Sequence, residues 1–124
     1  MKNINQDIET NKIKQFYLLF GAEDYLKRQY KDKLVKALVD PDDNMNLNYF
    51  EGNGIPVQNV LDIGETLPFF SDHRVIVLEN SGLLKKAPED FEKHLAAFPE
   101  STYMIFVEKD VDKRNRLFKW IGKN

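Results

Sequence analysis

The chain is predicted to be an α/β protein built on a parallel sheet with helices on both faces, and three observations carry that expectation. Four apolar runs, Phe16–Phe20, Met45–Phe50, Arg74–Glu79 and Thr102–Val107, have the length and the aromatic or β-branched content of strands. Successive runs begin about 25 to 30 residues apart, and each gap holds one helical repeat of apolar side chains. Hairpins need only a few linking residues, so gaps of this size demand crossover connections and parallel pairing.

Residues 1–14 are polar with scattered isoleucines, show no periodicity that would hold them in a core, and are expected to be a flexible lead-in. Phe16-Tyr17-Leu18-Leu19-Phe20 is apolar throughout, as a strand covered on both faces should be, and Gly21 ends it. Ala22-Glu23-Asp24 opens a helix with carboxylates near its positive end, after which Leu26, Tyr30, Leu34, Val35 and Leu38 recur at helical spacing. Asp40-Pro41-Asp42-Asp43-Asn44 stops it, because proline disfavours helix at the preceding residue and Asp and Asn favour turns. Met45 to Phe50 alternates apolar and polar residues, which suits an edge strand. Pro56 is placed to start a helix carrying Val57, Val60, Leu61 and Gly64 on to Leu67, where Pro68 breaks it. The strand Arg74 to Glu79 is followed by a turn at Asn80-Ser81-Gly82, and Leu83-Leu84-Lys85-Lys86 fits no pattern clearly. Pro88 begins a helix with Phe91, Leu95 and Phe98 on one face, Pro99 closes it, and Asp112 to Ile121 reads as the last helix. A chain of this pattern ending on a helix looks cut short of its last strand.

At 124 residues, 42% apolar and 12% aromatic, the composition supplies one packed core. A net charge of −2 gives no long-range pull toward phosphate backbones, which argues against autonomous binding to nucleic acid. With no cysteine there are no disulfides or thiolate metal sites. No apolar leader follows Met1 and no stretch approaches the length of a membrane span, so a cytoplasmic protein is expected.

Ligands of parallel α/β folds sit at the carboxyl ends of the strands, so the residues there are the first place to look for chemistry. After the first strand a phosphate-binding loop would need glycines to bring backbone N–H groups around phosphates, and then Lys followed by Ser or Thr. Gly21-Ala22-Glu23-Asp24-Tyr25-Leu26-Lys27-Arg28 has one glycine and places two carboxylates where phosphate would sit. Glu79 ends the third strand where nucleotidases hold a magnesium-binding acid, but with no phosphate loop to serve it reads as a solvated or helix-capping carboxylate. Asp40, Asp42 and Asp43 lack the spacing of a calcium loop. His73 and His94 have no paired-ligand spacing, and His73 reads as an ordinary surface residue. Lys27, Arg28, Lys31, Lys33 and Lys36 form the densest basic region, read as a solvated helix face with nucleic-acid contact as the alternative.

One feature is left. Leu67-Pro68-Phe69-Phe70 crowds three large apolar side chains around a proline in a connector, where a polar turn is the ordinary choice. Burying one phenylalanine stabilises by roughly 1.5–3 kcal/mol, so these side chains either pack under the domain or are held ready for another protein.

The segments "FYLLFGAEDYL", "ETLPFFSDHRVIVLEN" and "STYMIFVEKDVDKRNRLFKWIGK", in this order, resemble the delta subunit of bacterial DNA polymerase III, over about Lys14 to Lys123 and only in its N-terminal domain. The resemblance implies a three-layer sheet of the P-loop NTPase or AAA+ type that lacks the phosphate-binding loop, spanning residues 15–124 of a longer protein in which a lid and a helical collar follow. It implies no cofactor and no ATPase activity of this domain, although the family belongs to a DNA polymerase holoenzyme. It implies a clamp-loader role: Leu67, Phe69 and Phe70 would form a hydrophobic plug that enters the beta sliding clamp and helps open the ring. The family has a small or polar residue where Pro68 stands, which leaves Leu67 open between core and interface. The other implied partners are the gamma/tau and delta prime subunits, with DNA met only in the assembled loader. The alternatives are a degenerate nucleotide-binding domain or a scaffold domain using the same patch. Two of the three anchors exposed on one patch would favour clamp binding; burial of all three would overturn it.

Overall fold

The apolar runs form one sheet. In the computed structural model, which describes residues 2–43 and 45–123, β1 spans Phe16–Phe20, β2 Leu47–Glu51, β3 Arg74–Glu79 and β4 Thr102–Glu108. Every pairing is parallel, in the order β1-β4-β3-β2, with Phe16 opposite Met104, Val75 opposite Tyr103 and Leu47 opposite Val75. The helices are α1 Lys2–Glu9, α2 Asp24–Leu38, α3 Val57–Glu65, α4 Phe91–Ala96 and α5 Arg116–Lys123. Met1, Asn44 and Asn124, expected in the lead-in, the turn after α2 and the domain's end, lie outside the described residues.

The two-residue period of a strand sorts its side chains into two cores. Val75 and Val77 of β3 and Ile105 and Val107 of β4 face α1 and α2, where Ile4, Leu34 and Leu38 cover them. Ile76, Leu78, Met104 and Phe106 face the other way, under Val60 and Leu61 of α3, Phe91 and Leu95 of α4 and Leu117 and Ile121 of α5. The sheet is therefore the middle of three layers. β2, with a neighbour on one side only, keeps Tyr49 exposed and carries the alternating pattern of an edge.

Several boundaries differ from expectation for local reasons. The lead-in is not irregular: residues 2–9 are helical, Ile4 is buried against the α2-side core, and the Tyr17 hydroxyl donates to Asp7 at 2.7 Å. Ile4 and Ile8, four residues apart, are the apolar face that packs. Leu83 and Leu84 are buried core residues. α4 starts at Phe91, because Asp90 is left-handed with φ 62°. α5 starts at Arg116, because Asp112 instead closes a turn, accepting from Arg114 N–H at 2.9 Å. The Asn115 side chain then accepts from Phe118 N–H at 3.0 Å, capping the helix.

Gly64 marks the closest approach of α3 to the rest of the domain. A Cβ built there overlaps the Phe98 ring, which stacks on Phe16 with centroids 6.3 Å apart. Gly64→Ala is expected to cost about 1–3 kcal/mol by overpacking, read as a lowered urea midpoint. Phe98→Leu in the same chain should recover part of it.

Candidate functional site

At the carboxyl ends of the strands the structure corrects the reading of Lys27. It is not on a solvated face: its side chain is 4% exposed and folds back beneath Gly21. The ammonium donates to Gly21 C=O at 2.6 Å, lies 3.5 Å from Glu108 C=O and pairs with Asp24 at 3.2 Å. Gly21 and Lys27 keep the first-glycine and lysine positions of G-x-x-x-x-G-K-[ST], while Leu26 and Arg28 replace the second glycine and the hydroxyl. That spacing was the available signal. Beside it the Glu108 carboxylate is fully buried and accepts from Ser81 N–H at 3.0 Å, Ser81 Oγ–H at 3.1 Å and Gly82 N–H at 3.1 Å. Burial pushes its pKa above the ordinary glutamate range, against those bonds and the nearby Lys27. Lys27 and Glu108 are thus both committed to the chain's own groups.

The other basic residues of α2 are partly tied down as well. Lys31 pairs with Asp32 at 2.8 Å and lies over the Tyr49 ring, and Lys33 reaches Asn5 at 3.2 Å. Arg28 and Lys36 are exposed, as a solvated face requires. Glu79 accepts from the Tyr49 hydroxyl rather than capping a helix. Among the described residues no group of three or more His, Asp or Glu could hold a metal ion, and no helix is long and apolar enough to cross a membrane.

The apolar connector lies at the opposite, amino end of the sheet, between α3 and β3. α3 stops at Glu65 rather than running to Leu67: Thr66 is extended and Pro68 makes helix unfavourable at the residue before it. Leu67 is 68% exposed, Phe69 52% and Phe70 94%. The prospect that Leu67 belongs to the core is therefore corrected, since the helix that would have turned it inward has ended. Phe69 and Phe70 meet edge to face with centroids 4.4 Å apart. Phe70 has φ 54°, a left-handed backbone that costs a bulky residue about 1–2 kcal/mol.

Buried polar residues hold the backbone of the connector ahead of it. The Asn46 side chain, just ahead of β2, donates to Phe69 C=O at 2.8 Å and accepts from Phe69 N–H at 2.7 Å. Its amide also donates to Asp43 at 2.8 Å. This bond, with those from the N–H groups of Met45 and Asn46, holds the Asp43 carboxyl below the ordinary aspartate range. Arg74, the first residue of β3, donates to the carbonyls of Thr66 and Leu67 and to the Asn48 side chain, each at 3.2 Å. His73 is half-buried rather than on the surface, with Nδ1 2.9 Å from Leu38 C=O and its ring edge-on to Tyr103. The backbone of the connector is held from beneath, and its apolar side chains project outward. Asn46, Arg74 and His73 escaped sequence reasoning because hydrogen bonds to backbone carbonyls leave no pattern of spacing.

Comparison with known proteins gives this geometry a lineage. The family described as DNA polymerase III, delta subunit, matches residues 17–124. DNA polymerase III subunit delta of Bacillus subtilis (strain 168) is 24% identical over 131 residues, covering 96% of this chain and 38% of that protein. Among solved structures, the Bacillus subtilis DNA clamp loader delta protein superposes with a TM-score of 0.85 at 19% identity, over 98% of this chain and 40% of that one. A DNA polymerase III gamma subunit-related protein from Thermotoga maritima superposes with a TM-score of 0.66 at 11% identity, over 98% of this chain and 43% of that one. These likenesses show the AAA+-like fold, and the chain spans about two fifths of the length of each relative. The match over nearly all of its length means that this chain belongs to the DNA polymerase III delta-subunit family.

Proposed function

We propose that this chain acts in clamp loading as the domain that grips the beta sliding clamp, with Leu67, Phe69 and Phe70 as a hydrophobic plug that enters a pocket on the clamp and helps to open the ring at a single interface. The observation that carries this reading is the outward projection of all three side chains from a backbone that Asn46 and Arg74 tie down. Exposed aromatic anchors are the commonest hot spots of protein interfaces. Membership of the delta-subunit family supports the sliding clamp as the partner. Residues 15–124 are on this reading the AAA+-like N-terminal domain of a longer subunit. The gamma/tau and delta prime subunits are its neighbours there, DNA is met only in the assembled loader, and the domain contributes binding without catalysis.

The test is an alanine scan read as affinity for the cognate clamp. Phe70→Ala is expected to weaken binding by about 2–4 kcal/mol, with smaller losses for Phe69→Ala and Leu67→Ala and an unchanged urea midpoint for each. Parent-like affinity of the Phe69→Ala/Phe70→Ala double variant would remove the assignment.

A further inference from the structure

The plug does not stand alone on its face of the molecule. Phe69 and Phe70 border a groove whose other wall is the turn after α2, formed by Asp40, Asp42, Asp43 and exposed Met45. Met45 extends the apolar surface, and the three carboxylates rim it. Asp43 is committed to Asn46 and the neighbouring N–H groups. Asp40 and Asp42 are exposed, and among the described residues neither side chain has a hydrogen bond or an ion pair. Uncompensated charge beside an exposed apolar anchor acts on whatever the anchor docks against, since an unlike charge at a rim speeds encounter and a like charge opposes it.

We infer that Asp40 and Asp42 belong to the docking surface, and that the partner's apolar pocket is bordered by lysine or arginine side chains that these carboxylates meet. The inference rests on the plug reading and adds to it the chemistry of the partner's rim. Asp43 has no such role, because its carboxylate fixes the turn that carries Met45.

The experiment compares the parent, Asp40→Asn/Asp42→Asn and Phe70→Ala for binding to the cognate clamp at about 50 mM and 500 mM sodium chloride, one concentration beyond and one well within the range where screening removes surface attraction. The Asp40→Asn/Asp42→Asn chain is expected to bind about tenfold more weakly than the parent at low salt and nearly as well at high salt. Phe70→Ala should lose affinity at both. A loss in the double-asparagine chain that ignores salt would overturn the inference, as would parent-like binding at low salt, and Phe70→Ala losing affinity in the same series would leave the plug reading standing. Parent-like binding by Phe70→Ala would sink the plug reading itself.

Discussion

Arg74→Ala is expected to destabilise the domain by about 2–4 kcal/mol and to weaken clamp binding tenfold or more, although Arg74 is itself buried. Its guanidinium is buried and spreads its donors over Thr66 C=O, Leu67 C=O and the Asn48 side chain. Alanine leaves those acceptors without donors and removes the stem that packs beneath the connector. The two readouts separate two roles. A merely structural residue would lower the urea midpoint while the folded fraction bound the clamp with parent affinity; a residue that positions the plug lowers the affinity of the folded protein too. Arg74→Lys should recover only a fraction of both, because one ammonium cannot reproduce a planar fork that reaches three oxygens in different directions.

Glu108→Ala is expected to cost about 2–3 kcal/mol, as the N–H groups of Ser81 and Gly82 lose their buried acceptor. The pH dependence gives a second, independent check. Burial raises the Glu108 value in the folded state above that of the unfolded chain, so the native state holds the proton more tightly. Stability from this group is thus fully present below the unfolded value near 4.5 and is lost as pH rises through the folded value above it. Glu108→Gln cannot titrate and should lack that decline in denaturation midpoints measured across the same interval. A parent profile with no fall there, matched by the Gln chain, would mean that the carboxylate is solvated.

The sheet was legible because burial on two faces writes itself into consecutive residues: Val75-Ile76-Val77-Leu78 could hardly be anything but a covered strand, and its spacing from Phe16–Phe20 left parallel pairing as the economical solution. The exposed apolar side chains were legible for the opposite reason, since Phe69 and Phe70 stand where composition should be polar. The devices that hold them were not. Asn46 lies just ahead of β2 and Arg74 opens β3, and both act on main-chain atoms, which look alike at every residue. Lys27 failed differently: charge marks a residue for solvent, and only its six-residue offset from Gly21 hinted that it turns inward. α1 depends on a single Ile4 and Ile8 pair, too short a run to outweigh its polar neighbours. The sharp boundaries at Glu65 and Arg116 rest on caps and turns that no hydrophobic period encodes.

The left-handed backbone of Phe70 bears on the tempo of recognition. A loop already fixed by Asn46 and Arg74 has little conformational search left when it meets a partner, because its ordering entropy was lost on folding. Encounter is then governed by diffusion and orientation, and the lifetime of the complex by how well the two rings seat. In the proposed clamp complex, residence time would follow from the aromatic tips and arrival rate from the rigidity beneath them.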